Sequence, residues 1–168
     1  MNCTIENTLL RGEITPPPSK SLAHRAILCA ARADGVSTLH NIAFSEDIQA
    51  TCRAVTLLGA KITEQNGSLQ ITGAQKKETH GHFDCGESGS ALRFIIPLAL
   101  AFGGSFSFSG SGLLNLGKRP LTPYLRYFDE QKISWSLQKD PFLLSAEGQL
   151  SSGTYRLEGN ISSQFLTG

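Results

Sequence analysis

The chain has 168 residues, 40% of them hydrophobic and 17% charged, with a formal net charge of +1 at pH 7. That composition belongs to a globular protein with a core of its own and excludes a disordered segment. A near-neutral balance also argues against a nucleic-acid-binding surface, which needs clustered Lys and Arg.

The N-terminal stretch MNCTIENTLLRGEI carries acids and no long apolar run, so it does not read as a secretory signal. The most apolar stretch, Phe94 to Phe102, is nine residues with Pro97 inside, too short to cross a bilayer. The four cysteines, Cys3, Cys29, Cys52 and Cys85, form no CxxC pair and have no histidines at metal spacing. Cys29 and Cys52 fall in apolar helical stretches and read as buried, reduced thiols, which suits the cytoplasm.

In chain order, Ser21 to Asp34 is Ala- and Leu-rich and stops at Gly35, which predicts a helix. Ser37 to Ile42 reads as a strand. Ser45 opens a second helix with Glu46 and Asp47 in its first turn, where the helix dipole favours acids. Ile48, Cys52 and Val55 mark its apolar face and Gly59 its end. Lys61 to Glu64 and Ser68 to Thr72 flank Asn66-Gly67, a hairpin signal. The order then recurs: Arg93, Gly103 and Ser105 each follow Arg25, Gly35 and Ser37 by 68 positions. The second copy has a helix from Gly89 to Ala101, a strand at 105–109, a helix from about Pro120 to Glu130, and strands KISWSL and PFLLSA. A third copy is expected to begin near Gly153 and to reach only the first turn of its helix, so the chain reads as a fragment.

Four segments point to anions. Pro16-Pro17-Pro18-Ser19-Lys20-Ser21 holds the chain extended up to a helix start, where Ser19 or Ser21 can cap and free N–H groups face any anion. Arg25, one turn beyond Ser21, can offer a bidentate fork to a carboxylate. Cys85-Gly86-Glu87-Ser88-Gly89-Ser90 is a loop through which backbone can approach a ligand, though it is neither a P-loop nor a dinucleotide fingerprint. Gly117-Lys118-Arg119-Pro120 sets a basic pair before a helix, and Ser162-Ser163-Gln164 sets two hydroxyls at another helix start. Each also fits an ordinary cap or turn; together they suggest a small, multiply anionic ligand.

PSKSxxxR, Ser45-Glu46-Asp47, Leu58-Gly59-Ala60-Lys61, CGESGSALR, GKRP and SSQFLTG, in this order, resemble the enolpyruvyl transferase family, in its branch acting on shikimate 3-phosphate. The sister branch, acting on UDP-N-acetylglucosamine, typically has Lys-Asn at Lys20-Ser21; it remains the rival reading, beside a non-catalytic anion-binding module. The resemblance implies an α/β fold of repeated βαβαββ units, an inside-out α/β barrel. About two and a fraction copies would be present: an N-terminal segment 1–13, repeat one at about 14–82, repeat two at about 83–150, and the start of repeat three at 151–168. It implies transfer of the enolpyruvyl group from phosphoenolpyruvate to the 5-hydroxyl of shikimate 3-phosphate, without metal or cofactor. It further implies a monomer in which a second domain supplies acid–base groups, and a fragment that binds substrate without turnover. Residue by residue, Lys20 is implied as the catalytic lysine contacting phosphoenolpyruvate, and Ser21 and Arg25 as the pair holding the shikimate carboxylate. Gly89 and Arg119 are implied against phosphoenolpyruvate, Ser162 and Ser163 on the 3-phosphate, and Gln164 in the substrate site. Glu87, Ser90 and Phe94 depart from the family's usual Asn, Thr and Pro.

Overall fold

The computed structural model describes residues 4, 9, 11–74, 78–111, 120–158 and 160–168. The first helix, α1 (Lys20–Arg32), is capped by Ser19, whose side chain accepts the Leu22 N–H. It buries Ala23, His24, Ile27, Ala30 and Ala31, one face at helical spacing. Cys29 lies on the opposite face and is exposed, which corrects the expectation of a buried thiol there. Cys52 is half-buried and Cys85 is buried.

After Gly35, whose φ of +86° only glycine adopts without strain, strand β1 (Val36–Leu39) is shorter than its sequence signal. Helix α2 (Glu46–Leu57) follows, then β2 (Lys61–Gln65) and β3 (Ser68–Thr72). These two strands pair antiparallel about Asn66 and Gly67, both at positive φ, as an Asn-Gly hairpin requires. Ser45 stands at the start of α2 but makes no side-chain cap bond. The sheet runs β1-β3-β2.

The second sheet starts with a strand that the sequence did not announce, β4 (His80–Asp84). It precedes α3 (Gly89–Phe102), β5 (Gly104–Ser109), α4 (Thr122–Glu130), β6 (Ser134–Gln138) and β7 (Leu143–Gly148), giving a βαβαββ unit. Its order is β4-β5-β7-β6, with β4 parallel to β5 and the other pairs antiparallel. The last three strands thus repeat the order and directions of the first sheet. Residues 153–158 form no strand, so the third copy shows only the four-residue helix α5 (Gln164–Thr167).

Helix α3 is central. Leu92, Ile95, Ile96, Ala99 and Leu100 are fully buried, and α3 packs on α2, β5 and α5. Pro97 inside it cannot donate to the Arg93 carbonyl four residues back. The Tyr124 hydroxyl donates to that oxygen instead, at 2.8 Å, tying α4 to α3. No helix among the described residues is long and apolar enough to cross a membrane.

Candidate functional site

The first turns of α1, α3 and α5 are brought together by two arginines. Arg25 donates from Nη1 to the Ser21 carbonyl at 2.9 Å and to the Ser21 hydroxyl at 3.2 Å. Its Nε and Nη2, the edge that can grip a carboxylate, both donate to the Thr167 hydroxyl of α5, at 3.2 and 2.9 Å. The Phe94 ring lies 5.3 Å from the guanidinium and holds it in place. Arg93, only 2% exposed, donates from Nη1 to the Gly89 carbonyl at 2.9 Å and to the Gln164 Oε1 at 3.3 Å. Gln164 closes the link by donating from Nε2 to the Ser90 hydroxyl at 2.6 Å. Residues more than 70 positions apart therefore meet on one polar face.

Lys20, the first residue of α1, donates to Asp47 of α2 at 2.6 Å, with its side chain 54% exposed. An ammonium has three donors, so this bond leaves two for a ligand. Asp47 also raises the pKa of His24, but burial outweighs it, and that pKa is lowered overall. His24 is 3% exposed, with Nδ1 2.7 Å from the Thr51 hydroxyl, locking α1 to α2 beneath the polar face. At α3 the Ser88 hydroxyl caps Ala91, and the Gly89 N–H is turned to the Glu87 carbonyl. Glu87 is exposed in that turn. At α5 the Ser162 hydroxyl accepts the Gln164 N–H, whereas Ser163 is exposed and makes no cap bond.

Lys20, Ser21, Arg25, Gly89, Ser162, Ser163 and Gln164 thus all lie at the starts of these three helices. Arg119 and the Gly117-Lys118 before it lie outside the described residues. Motif reading gives Thr167, Ser90 and His24 no part at this face, and it values Arg93 only as a repeat marker. All four show themselves only through contacts between distant segments. A groove of about 880 Å³ lies elsewhere: Pro97, Tyr124, Phe128, Leu157 and Phe165 line it, and none of its lining residues is a cation. An anion needs convergent donors, which the charged face offers and this groove does not. Among the described residues no His, Cys, Asp and Glu group could hold a metal ion.

The model of the EPSP synthase (3-phosphoshikimate 1-carboxyvinyltransferase) family matches residues 5–168. The chain belongs to the EPSP synthase family. Its relatives include the 3-phosphoshikimate 1-carboxyvinyltransferase of Clostridium beijerinckii, 48% identical over 167 residues, covering 95% of this chain and 38% of that protein. The enzyme of the same name from Clostridioides difficile is 45% identical over 170 residues, with the same coverage. Among solved structures, an EPSP synthase from Acinetobacter baumannii superposes with a TM-score of 0.71 at 23% identity, over 93% of this chain and 37% of that one. That likeness shows the fold, the inside-out α/β architecture of EPSP synthases. The chain spans under two-fifths of the length of these relatives.

Proposed function

We propose that this chain carries one wall of the substrate cleft of a 3-phosphoshikimate 1-carboxyvinyltransferase, the enzyme that moves the enolpyruvyl group of phosphoenolpyruvate onto shikimate 3-phosphate. The observation that carries the proposal is the meeting of Arg25 with α5 across 142 positions, because it assembles donors from separate segments around one exposed edge.

In this reading the Arg25 fork and the Ser21 hydroxyl hold the shikimate carboxylate, which takes the place now filled by the Thr167 hydroxyl. Ser162 and Ser163 hold the 3-phosphate, and Gln164 sits between the two substrates. Lys20 meets phosphoenolpyruvate, with Gly89 letting backbone lie against it and Arg119 adding a second cation. In the transfer the 5-hydroxyl oxygen bonds to the enol carbon and loses its proton, the neighbouring carbon gains one, and a tetrahedral adduct forms. Breaking the bond to the phosphate oxygen and losing a proton restores the double bond. Charge accumulates on the departing phosphate, so a positioned Lys20 is worth more in that step than in the ground state.

The remaining length of the relatives is the partner expected to complete the cleft and to supply acid–base groups, with the assembled enzyme a monomer of repeated units. This chain alone is expected to bind shikimate 3-phosphate without turning it over. Calorimetric titration tests the reading: shikimate 3-phosphate is expected to bind more tightly than inorganic phosphate, and equal affinity for the two would refute it.

A further inference from the structure

We propose that Arg93 is a positioning residue for this cleft, which orients the Gln164 amide and through it presents the Ser90 hydroxyl as a hydrogen-bond donor to the bound anion. The inference deepens the reading above and rests on it, adding two residues that it leaves without a role.

The polarity of the connection follows from chemistry. A guanidinium has donors and no acceptor, so the Gln164 atom facing Arg93 has to be Oε1. Its Nε2 then faces Ser90, and an NH2 group can only donate. Ser90 Oγ is therefore the acceptor of that bond, and its own proton is left for a third group. Every donor points the same way, from the buried cation through the amide to a hydroxyl beside Gly89 at the start of α3. Bonds aligned in this sense polarise one another, so the last O–H becomes a better donor to an anion than an isolated serine. Arg93 is firmly held, being 2% exposed, bonded to the Gly89 carbonyl, and within 5.4 Å of the Phe165 ring centroid. Its position in α3 keeps it from solvent, so its contribution passes through Gln164.

The test reverses the relay. In Gln164→Glu both side-chain oxygens accept, Arg93 keeps its partner, and the Ser90 proton is drawn inward to the carboxylate. Titration with shikimate 3-phosphate is run on the chain, Ser90→Ala, Gln164→Glu and the double variant. Ser90→Ala alone is expected to weaken binding on the order of tenfold, as for a hydrogen bond to a charged group. In the Gln164→Glu background the same change is expected to cost nothing further. A charge effect alone would leave the Ser90→Ala loss undiminished in that background, and this outcome overturns the proposal.

The side-chain amide of Gln164 gives a second readout, independent of how the variants fold. In the unaltered chain one of its protons is expected to be protected from exchange, and Arg93→Lys, which lacks the planar fork, to remove the protection. An amide that exchanges freely in the unaltered chain also overturns the proposal. If shikimate 3-phosphate binds no better than inorganic phosphate, the functional reading falls, while the same cycle run with phosphate still decides the relay. A chain that binds neither overturns both.

Discussion

Arg25 and Arg93 stand 68 positions apart in sequence and make the same bond, each donating Nη1 to the carbonyl four residues back, Ser21 and Gly89, at 2.9 Å in both cases. Each then reaches a different residue of α5, Thr167 for Arg25 and Gln164 for Arg93. Repetition of one helix start has thus given two arginines with one geometry and different exposure. The half-buried Arg25 suits ligand binding; the buried Arg93 suits support.

Thr167→Val removes the hydroxyl that occupies the Nε–Nη2 edge of Arg25. A carboxylate would then meet an unoccupied fork. Shikimate 3-phosphate is expected to bind a few-fold more tightly to this variant, because the guanidinium no longer gives two charge-assisted bonds to an exposed hydroxyl that water can replace. Calorimetry reads the difference; weaker binding would show that Thr167 helps to hold the ligand.

Tyr124→Phe would leave the Arg93 carbonyl without its side-chain donor in a helix where Pro97 supplies none. Losing a buried hydrogen bond of this kind costs about 0.5–1.5 kcal/mol. In Pro97→Ala the residue-97 N–H can serve that carbonyl, so adding Tyr124→Phe there is expected to cost less. Urea unfolding of the four chains checks the coupling. Additive losses would contradict it.

His24 makes folding sensitive to mild acid. Burial lowers its pKa below the ordinary 6.5; Asp47 opposes the shift, and Lys20 and Arg25 add to it. Between the folded-state value and 6.5 the unfolded chain binds more protons, so stability declines as pH falls below 6.5 and is fully present above it. The thermal midpoint is expected to drop from about pH 7.5 to about pH 5, and His24→Gln to reduce that drop. An equal drop in both proteins would clear His24 of the effect.

Thiol reactivity should follow burial. Burial pushes Cys52 up to about 11 and Cys85 up to about 12, while Cys29 is exposed. At about pH 8 the thiolate is the reacting species, so Cys29 is expected to be alkylated well before the other two in the folded chain. Mass-spectrometric mapping decides, and early labelling of Cys85 would contradict the packing around β4.

Much of the fold was legible because local signals agreed with it: the glycines closing α2 and α3, the Asn-Gly hairpin, and the apolar spacing of α2. Strand β4 was not legible. HGHFD has a single large apolar residue, Phe83, and its strand character comes from parallel pairing with β5 and stacking on Phe108 at 5.2 Å between centroids. Cys29 was misread because an Ala-rich helix hides which face is buried until Ile27 and Ala31 find their partners. The helix-start motifs pointed to the face on which the proposed site is built, because serines and arginines gathered at helix starts offer donors to an anion, though each alone also fits an ordinary cap. Thr167 and Ser90 carry no such mark, and only the packing of α5 on α1 and α3 reveals them.

The central claim is that the starts of α1, α3 and α5 form one binding face for shikimate 3-phosphate, and amide shift mapping tests it most directly. Titrating the isotopically labelled chain with shikimate 3-phosphate is predicted to shift the amides of Ser21, Arg25, Ser90 and residues 162–167 together, with one shared affinity that Arg25→Ala weakens. Shifts confined to other surfaces, or a response that inorganic phosphate reproduces in full, would contradict the claim.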